Sequence, residues 1–310
     1  MTHILVVGSL NMDLVVQMPA IPRPGETLLG GRFATFPGGK GANQAVAAAR
    51  LGAQVTLVGK VGNDAFGKQL LQVIQAEGIE TRYIGIDQNN ATGVALITVD
   101  TEGRNSISVA SGANFTLTVD EVKQAWDEIG LVDMLVMPLE TPMDTILTAA
   151  KLAKAHGTRV ILNPAPAQEL EEGLLRSVEV IVPNEIETEH LTGKAIHSQE
   201  DALQAGTMLL SRGVRSVVLT LGEKGALILE GRPDQPEHLY LPAYQVQAVD
   251  STAAGDGFVG ALAAGLGEGL SLHEAAVFAT AAAAISVTRS GAQPSLPRRD
   301  EVDRFLQDRT

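Results

Sequence analysis

The residues best placed to do chemistry lie in one short stretch, Val249-Asp250-Ser251-Thr252-Ala253-Ala254-Gly255-Asp256-Gly257-Phe258-Val259-Gly260-Ala261. Two acids stand there in a run of small residues. Upstream, Tyr244 to Val249 alternates in polarity and reads as a strand. Downstream, Phe258 to Leu266 is apolar and Ala-rich and reads as a buried helix. Small side chains let a backbone approach a ligand closely. The free N–H groups of a helix N-terminus make an anion site. An Asp at that place can cap the helix, or it can take a proton from a hydroxyl held beside the anion. The stretch therefore reads as an anion hole built from Ala253, Ala254 and Gly255, with a base at Asp256. Gly255 to Gly260 also matches the dinucleotide pattern G-x-G-x-x-G, but that motif needs an acid about 20 residues on. Here Ala279 to Ala284 supplies none.

The elements that must position these residues can be read from the pattern. Ile4–Val7 is a short apolar run suited to a buried parallel strand. From residue 120 onward helices (Val119–Ile129, Met143–His156, Asp201–Arg212, Leu272–Val287) interleave with strands (Met134–Met137, Val160–Leu162, Val180–Val182, Val217–Thr220, Gly225–Glu230, Gln245–Val249). Such alternation implies an α/β fold with a doubly wound, mainly parallel sheet. Residues 15–36 and 92–110 do not fit that sheet. The second pair of runs flanks Asp100-Thr101-Glu102-Gly103, a hairpin signal. Both are expected to form a small β layer, an inserted lid on a single domain spanning 1–310. A small sheet alone is marginal in water, and its edges invite pairing with a copy of itself, so a two-fold homodimer through the lid is expected.

In open α/β sheets, ligands bind outside the carboxyl ends of the strands. The expected strands end at Asn11 and Asp13, Glu140, Asn163, Asn184 with Glu187 behind it, Thr220-Leu221-Gly222, and Asp250. Any one of these could simply cap the next helix. Together they build one polar rim. A sugar offers mainly hydroxyls, which Asn, Asp, Glu and Lys can hold in fixed directions. Asn11, Asp13, Lys40, Asn43 and Glu140 supply that chemistry, and Gly38 and Gly39 allow close approach. Gly39-Lys40-Gly41-Ala42-Asn43 opens a helix but is not a Walker A loop, because Gly41 stands where Ser or Thr is required.

Composition narrows the partners. The chain has 310 residues, 45% hydrophobic and 19% charged, and a net charge of −13. Nucleic acid is disfavoured, since phosphate backbones call for basic patches. There is no cysteine, hence no disulfide or thiolate site. The six histidines are scattered, which disfavours zinc. The start lacks a signal-peptide pattern, and no stretch reads as a membrane span. A cytoplasmic protein with no membrane partner is expected.

Two stretches resemble a known family. Asp250-Ser251-Thr252-Ala253-Ala254-Gly255-Asp256 resembles the C-terminal signature of the PfkB family of sugar kinases, and Gly38-Gly39-Lys40-Gly41-Ala42-Asn43-Gln44-Ala45 its N-terminal signature. The resemblance runs from Ile4 to Phe305. The tail from Ala283 to Ser295 is similar to the ribose-phosphorylating branch of the family. The resemblance implies a Rossmann-like three-layer fold with a small β lid, and transfer of the ATP γ-phosphoryl to the 5-hydroxyl of a pentofuranose, D-ribose first. The alternatives are a related kinase for deoxyribose, another sugar or a nucleoside, and a non-catalytic sugar-binding sensor. It implies sugar contacts at Asn11, Asp13, Gly38, Gly39, Lys40, Asn43, Glu140 and Asp256. It implies ATP contacts at Asn184, Glu187, Thr220, Gly222, Glu223, Lys224, Gly225, Gly255 and Thr280, with Mg²⁺ near the Asn184-x-x-Glu187 motif. It also implies a monovalent cation, K⁺, at Asp250, Thr252, Ser286, Arg289, Gly291 and Ser295. Two positions depart from the family pattern. Gly257 stands where Thr is usual, and Thr280 where Asn is commoner.

Overall fold

Ile4 to Val7 are buried on both sides of strand β1 (His3–Val7), with Ile4 and Val6 in one hydrophobic cluster and Leu5 and Val7 in the other. That period-two split places β1 inside a sheet covered on both faces. The computed structural model describes residues 1–102 and 104–309; Gly103, expected in a hairpin turn, lies outside them. After β1 come β2 (Asn11–Gln17), β3 (Arg32–Gly38), α1 (Lys40–Arg50), β4 (Gln54–Gly62), α2 (Ala65–Ala76), β5 (Ile84–Asp87), β6 (Gly93–Val99) and β7 (Asn105–Ala110). The middle of the chain gives α3 (Val119–Ile129), β8 (Met134–Met137), α4 (Met143–His156), β9 (Arg159–Leu162), α5 (Glu172–Leu175), β10 (Val180–Ile181), α6 (Glu185–Thr192) and α7 (Gln199–Ser211). The last third gives β11 (Ser216–Thr220), β12 (Ala226–Arg232), β13 (Gln235–Leu241), α8 (Ala254–Gly267), α9 (Leu272–Ser286) and α10 (Arg299–Gln307).

The large sheet runs β13-β12-β11-β10-β9-β8-β1-β4-β5. It is parallel from β5 to β11, and β12 and β13 are antiparallel. Helices α1, α8 and α9 cover one face and α3, α4 and α7 the other. Gly260 lets α1 and α8 touch backbone to backbone: a Cβ there would lie 2.6 Å from the Gln44 carbonyl oxygen.

The second sheet runs β3-β2-β6-β7, matching the expected small β layer with shifted bounds. Asn11 and Asp13 belong to β2 of this sheet, not to the end of β1 as the sequence suggested. The chain turns at Gly8-Ser9-Leu10 and pairs Asn11 with Gly38 and Gly93.

One expected strand is absent. Residues 244–249 form no ladder, because β13 already occupies the edge beside β12 with a seven-residue antiparallel register. The alternation in that segment reflects instead a half-buried Tyr244 stacked edge-on against Phe305. Val249 is 61% exposed. Val249 and Asp250 both donate backbone N–H bonds to the Val287 carbonyl at the end of α9. Asp250 is thus held by a helix end and not by the sheet.

Candidate active site

Helix α1 begins at a crowded crossing. Gly39, its N-cap, has φ +90°, and a Cβ there would lie 2.6 Å from the backbone nitrogen of Asn11. A Cβ on Gly38 would lie 2.4 Å from an Asp13 carboxylate oxygen. Glycine is required at both places for these two polar residues to fit. The Glu140 carboxylate, just past β8, accepts from the Lys40 backbone N–H at 3.1 Å and from the Ser9 hydroxyl. Asn11 is fixed from behind. Its Oδ1 accepts from Asn114 Nδ2 at 2.7 Å, and the Asn114 amide also bonds both backbone groups of Leu10.

Helix α8 begins with Ala253 in the left-handed region at φ 59°, the one non-glycine residue with positive φ among those described. That conformation costs about 1–3 kcal/mol. No side chain caps this helix; the Ala254 N–H goes to the Ser251 carbonyl and the Gly257 N–H to the Ala253 carbonyl, which leaves those of Gly255 and Asp256 for whatever occupies the cleft. Asp256 follows in the first turn, 6% exposed. Its Oδ2 accepts from Asn43 Nδ2 at 3.0 Å, its Oδ1 from Gln44 Nε2 at 3.1 Å, and Lys40 Nζ stands 3.9 Å from Oδ1. Lys40, Asn184, Glu187, Thr220, Gly255 and Asp256 line one cavity. A wider hollow beside Thr2 is bordered by Asp133 and Glu268, but the first accepts from the His3 N–H and the second pairs with Arg299.

Four carboxylates and one ammonium share the cleft. Burial pushes the Asp13 carboxyl up to about 7, with repulsion from Glu140 and Asp256 adding to the effect and Lys40 opposing it. Lys40 is held above its ordinary value chiefly by Asp256, against the cost of burial, with Glu140, Glu187 and Asp13 assisting. It is a firm cation at the centre of the site. Glu187 is pushed up by burial, opposed by the Asn184 N–H and Lys40. Asn184 caps α6, and the Glu187 carboxylate returns to the Asn184 backbone N–H and to its Nδ2, both at 2.9 Å.

The remaining expected residues divide. Thr220 donates to the Pro183 carbonyl at the head of α6. The turn Gly222-Glu223-Lys224-Gly225 follows it, with Lys224 paired to Glu185 at 3.4 Å. Thr280 lies buried within α9 with its hydroxyl given to the Ala276 carbonyl at 2.8 Å. Asp250 accepts from the backbone N–H groups of Thr252 and Gly291, both at 2.9 Å. Burial works against its charge, but these bonds and the Thr252 hydroxyl hold it below the usual carboxylate range. The Ser286 and Ser295 hydroxyls meet at 2.8 Å. The Arg289 guanidinium turns away to Glu301.

Sequence reasoning passed over Ser9, Gln44 and Asn114. Gln44 directly follows Asn43, and neighbours on a helix point about 100° apart. Only the close approach of α1 to α8 brings both to Asp256. Asn163, seen only as a strand end, donates to the Val182 carbonyl at 3.0 Å and accepts from Gln44 Nε2 at 3.0 Å.

The profile of the pfkB family carbohydrate kinases matches residues 1–299. The chain belongs to this family. As a pfkB kinase it is a phosphotransferase acting on an alcohol group. It is 43% identical to the ribokinase of Haemophilus influenzae over 302 residues, 97% of each chain. It is 36% identical to a deoxyribokinase of Salmonella typhi over 98% of each. The structure of Arabidopsis thaliana ribokinase complexed with ribose and ATP superposes with a TM-score of 0.87 at 32% identity, covering 99% of both chains. The pfkB fold accounts for the mainly parallel sheet and its small companion. Among the described residues no helix is long and apolar enough to cross a membrane.

Proposed function

We propose that the protein is an ATP-dependent ribose kinase that moves the γ-phosphoryl of ATP to the 5-hydroxyl of D-ribose, giving D-ribose 5-phosphate and ADP. The observation that carries the reading is Asp256, a buried carboxylate fixed by two amides in the uncapped first turn of α8, beside Lys40. The relative solved with ribose and ATP supports the choice of substrates. Asp256 accepts the hydroxyl proton as the bond from the sugar oxygen to phosphorus forms and the bond to the leaving β-phosphate oxygen breaks. The transition state is loose, so orientation and charge stabilisation matter more than base strength. The N–H group of Gly255, presented by the left-handed Ala253, stabilises charge on the transferred group, while that of Ala254 is given to the Ser251 carbonyl at 3.2 Å. Asn11, Asp13, Gly38, Gly39, Lys40, Asn43 and Glu140 hold the sugar. Asn184, Glu187, Thr220 and the turn Gly222–Gly225 hold ATP. Thr280 lines the adenine side only through its apolar surface, since its hydroxyl is spent on α9.

Mg²⁺, when bound with ATP, neutralises phosphate charge, and a hard oxygen donor such as Glu187 suits it through water. A monovalent cation suits the group at Asp250, Thr252, Ser286, Gly291 and Ser295, which offers one carboxylate, hydroxyls and carbonyls but no nitrogen ligand. Arg289 contributes only backbone there. The small sheet, within 15–36 and 92–110, acts as a lid on a single catalytic domain, and two lids pack together in a homodimer. On this reading the enzyme works in the cytoplasm, where ATP and free pentose meet.

A second reading, deoxyribose as substrate, is favoured by the deoxyribokinase relative. A coupled ADP-release assay with ribose, 2-deoxyribose, fructose and adenosine separates the two. Highest kcat/KM on ribose is expected. Preference for deoxyribose would replace the substrate, and no sugar-dependent ADP release would overturn the kinase reading.

A further inference from the structure

Gln44 is wholly buried, and its amide stands between two others of the network. Its Nε2 carries two hydrogens. One goes to Asp256 Oδ1 at 3.1 Å and the other to Asn163 Oδ1 at 3.0 Å. Asn163 in turn gives its own Nδ2 to the Val182 carbonyl, just past β10, at 3.0 Å. The two ends of an amide are alike in outline, but this chain has a fixed sense. A backbone carbonyl can only accept. Asn163 must therefore turn its nitrogen to Val182 and its oxygen to Gln44, and Gln44 must present nitrogen to Asp256. The cost is visible: Gln44 Oε1 is buried without a partner. Gln44 gives up a carbonyl bond so that Asp256 Oδ1 receives an N–H beside the one Asn43 gives to Oδ2. Buried polar atoms left unpaired are costly and call for an explanation.

We propose that Gln44 and Asn163 are positioning residues, a directional amide relay from the sheet backbone that sets the plane of the Asp256 carboxylate and leaves one lone pair of each oxygen for the sugar hydroxyl. The inference rests on the kinase reading of Asp256. Neither residue touches the sugar on this account; both act through the base. Misplacement of a reacting group by a fraction of its contact distance reduces the rate more than the affinity.

Gln44→Met keeps the volume and removes the donors. With ribose and ATP it is expected to lower kcat about ten- to a hundredfold while changing ribose KM less than about threefold. In an Asp256→Asn background the same change should cost little further. A purely structural Gln44 would lower the melting temperature and leave kcat per folded enzyme unchanged in both backgrounds. Unchanged kcat, or an equal loss in both backgrounds, overturns the proposal. If Gln44→Met does not fold, Asn163→Leu, which removes the acceptor that fixes the Gln44 amide, must show the same loss of kcat with ribose KM little changed; normal turnover there overturns it equally. A wild-type enzyme that phosphorylates no sugar overturns the kinase reading and this inference with it. An active wild type with a normal Gln44→Met overturns only the inference.

Discussion

Asp256 and Asp13 are both buried acids in one cleft, at 6% and 7% exposure, but only Asp256 is given amide donors. Asp256→Asn should keep ribose and ATP binding and lower kcat by a factor of about 10² to 10⁴. A loss under about tenfold in steady-state turnover would remove Asp256 from the role of base. Asp13 behaves differently, because its carboxyl titrates near 7 and not near 3.8. A raised acid favours the protonated fold. Stability from that proton is complete below about 3.8 and is lost as pH rises through about 7. The wild type should therefore lose up to about 4 kcal/mol over that window, and Asp13→Asn should not. Thermal melts at several pH values check this: the advantage of the variant should grow with pH, and a constant difference would contradict the account. Its ribose KM should rise while its ATP KM stays put.

Elements place these residues by crossing closely. Asn114, in the 3₁₀ turn Gly112–Thr116 after β7, binds Leu10 and Asn11 at the passage from β1 to β2. One buried amide thus joins the end of the small sheet to its beginning and aims the Asn11 amide. Gly93 completes the crossing, since a Cβ there would lie 2.1 Å from Asn11 Oδ1. Asn114→Ala leaves the Leu10 N–H and carbonyl unpaired in the interior and should cost about 2–3 kcal/mol, read by denaturant unfolding. Ribose KM should rise with it. Full stability would mean that water replaces the amide.

At the scale of the molecule, the register of the small sheet decides which surface can serve as an interface. Asp13, Ala95, Ile97, Ile107 and Val109 share one face through the pairings Asp13 with Ala95, Ala95 with Val109, and Ile97 with Ile107. Leu14, Leu96 and Phe33 lie on the other, where Leu14 packs on the main core. Ile107 and Leu96 are equally exposed, at 53%, but only Ile107 sits on the side of the candidate sugar ligand. If two lids close face to face, Ile107→Glu should give a monomer by light scattering and a higher ribose KM. Leu96→Glu should do less of both. A dimer that survives Ile107→Glu would place the interface elsewhere. Loss of the lid should also raise ribose-independent ATP hydrolysis, because water then reaches the phosphoryl group.

The sequence by itself determined what depends on local pattern. Apolar runs bounded by Gly and polar residues marked the parallel strands, because burial on both faces leaves a composition no solvent-facing segment has, and helices such as Val119–Ile129, which buries only Val122, Ala125 and Trp126, followed from their alternation with those strands. The small residues around Asp256 and the glycines before Lys40 marked the two ends of the site, because only such residues let backbone come that close. Tertiary structure alone decided the rest. Tyr244 to Val249 alternates like a strand, but a ladder needs a vacant neighbour and β13 had taken it. Asn11 and Asp13 read as the end of β1, but pairing with β3 and β6 made them the start of another sheet. Gln44 and Asn163 lie 119 positions apart and meet only when α1 packs on the sheet, and Gln44 reaches Asp256 only because α1 and α8 pack closely at Gly260, a distance fixed by contact across the core and carried by no local pattern.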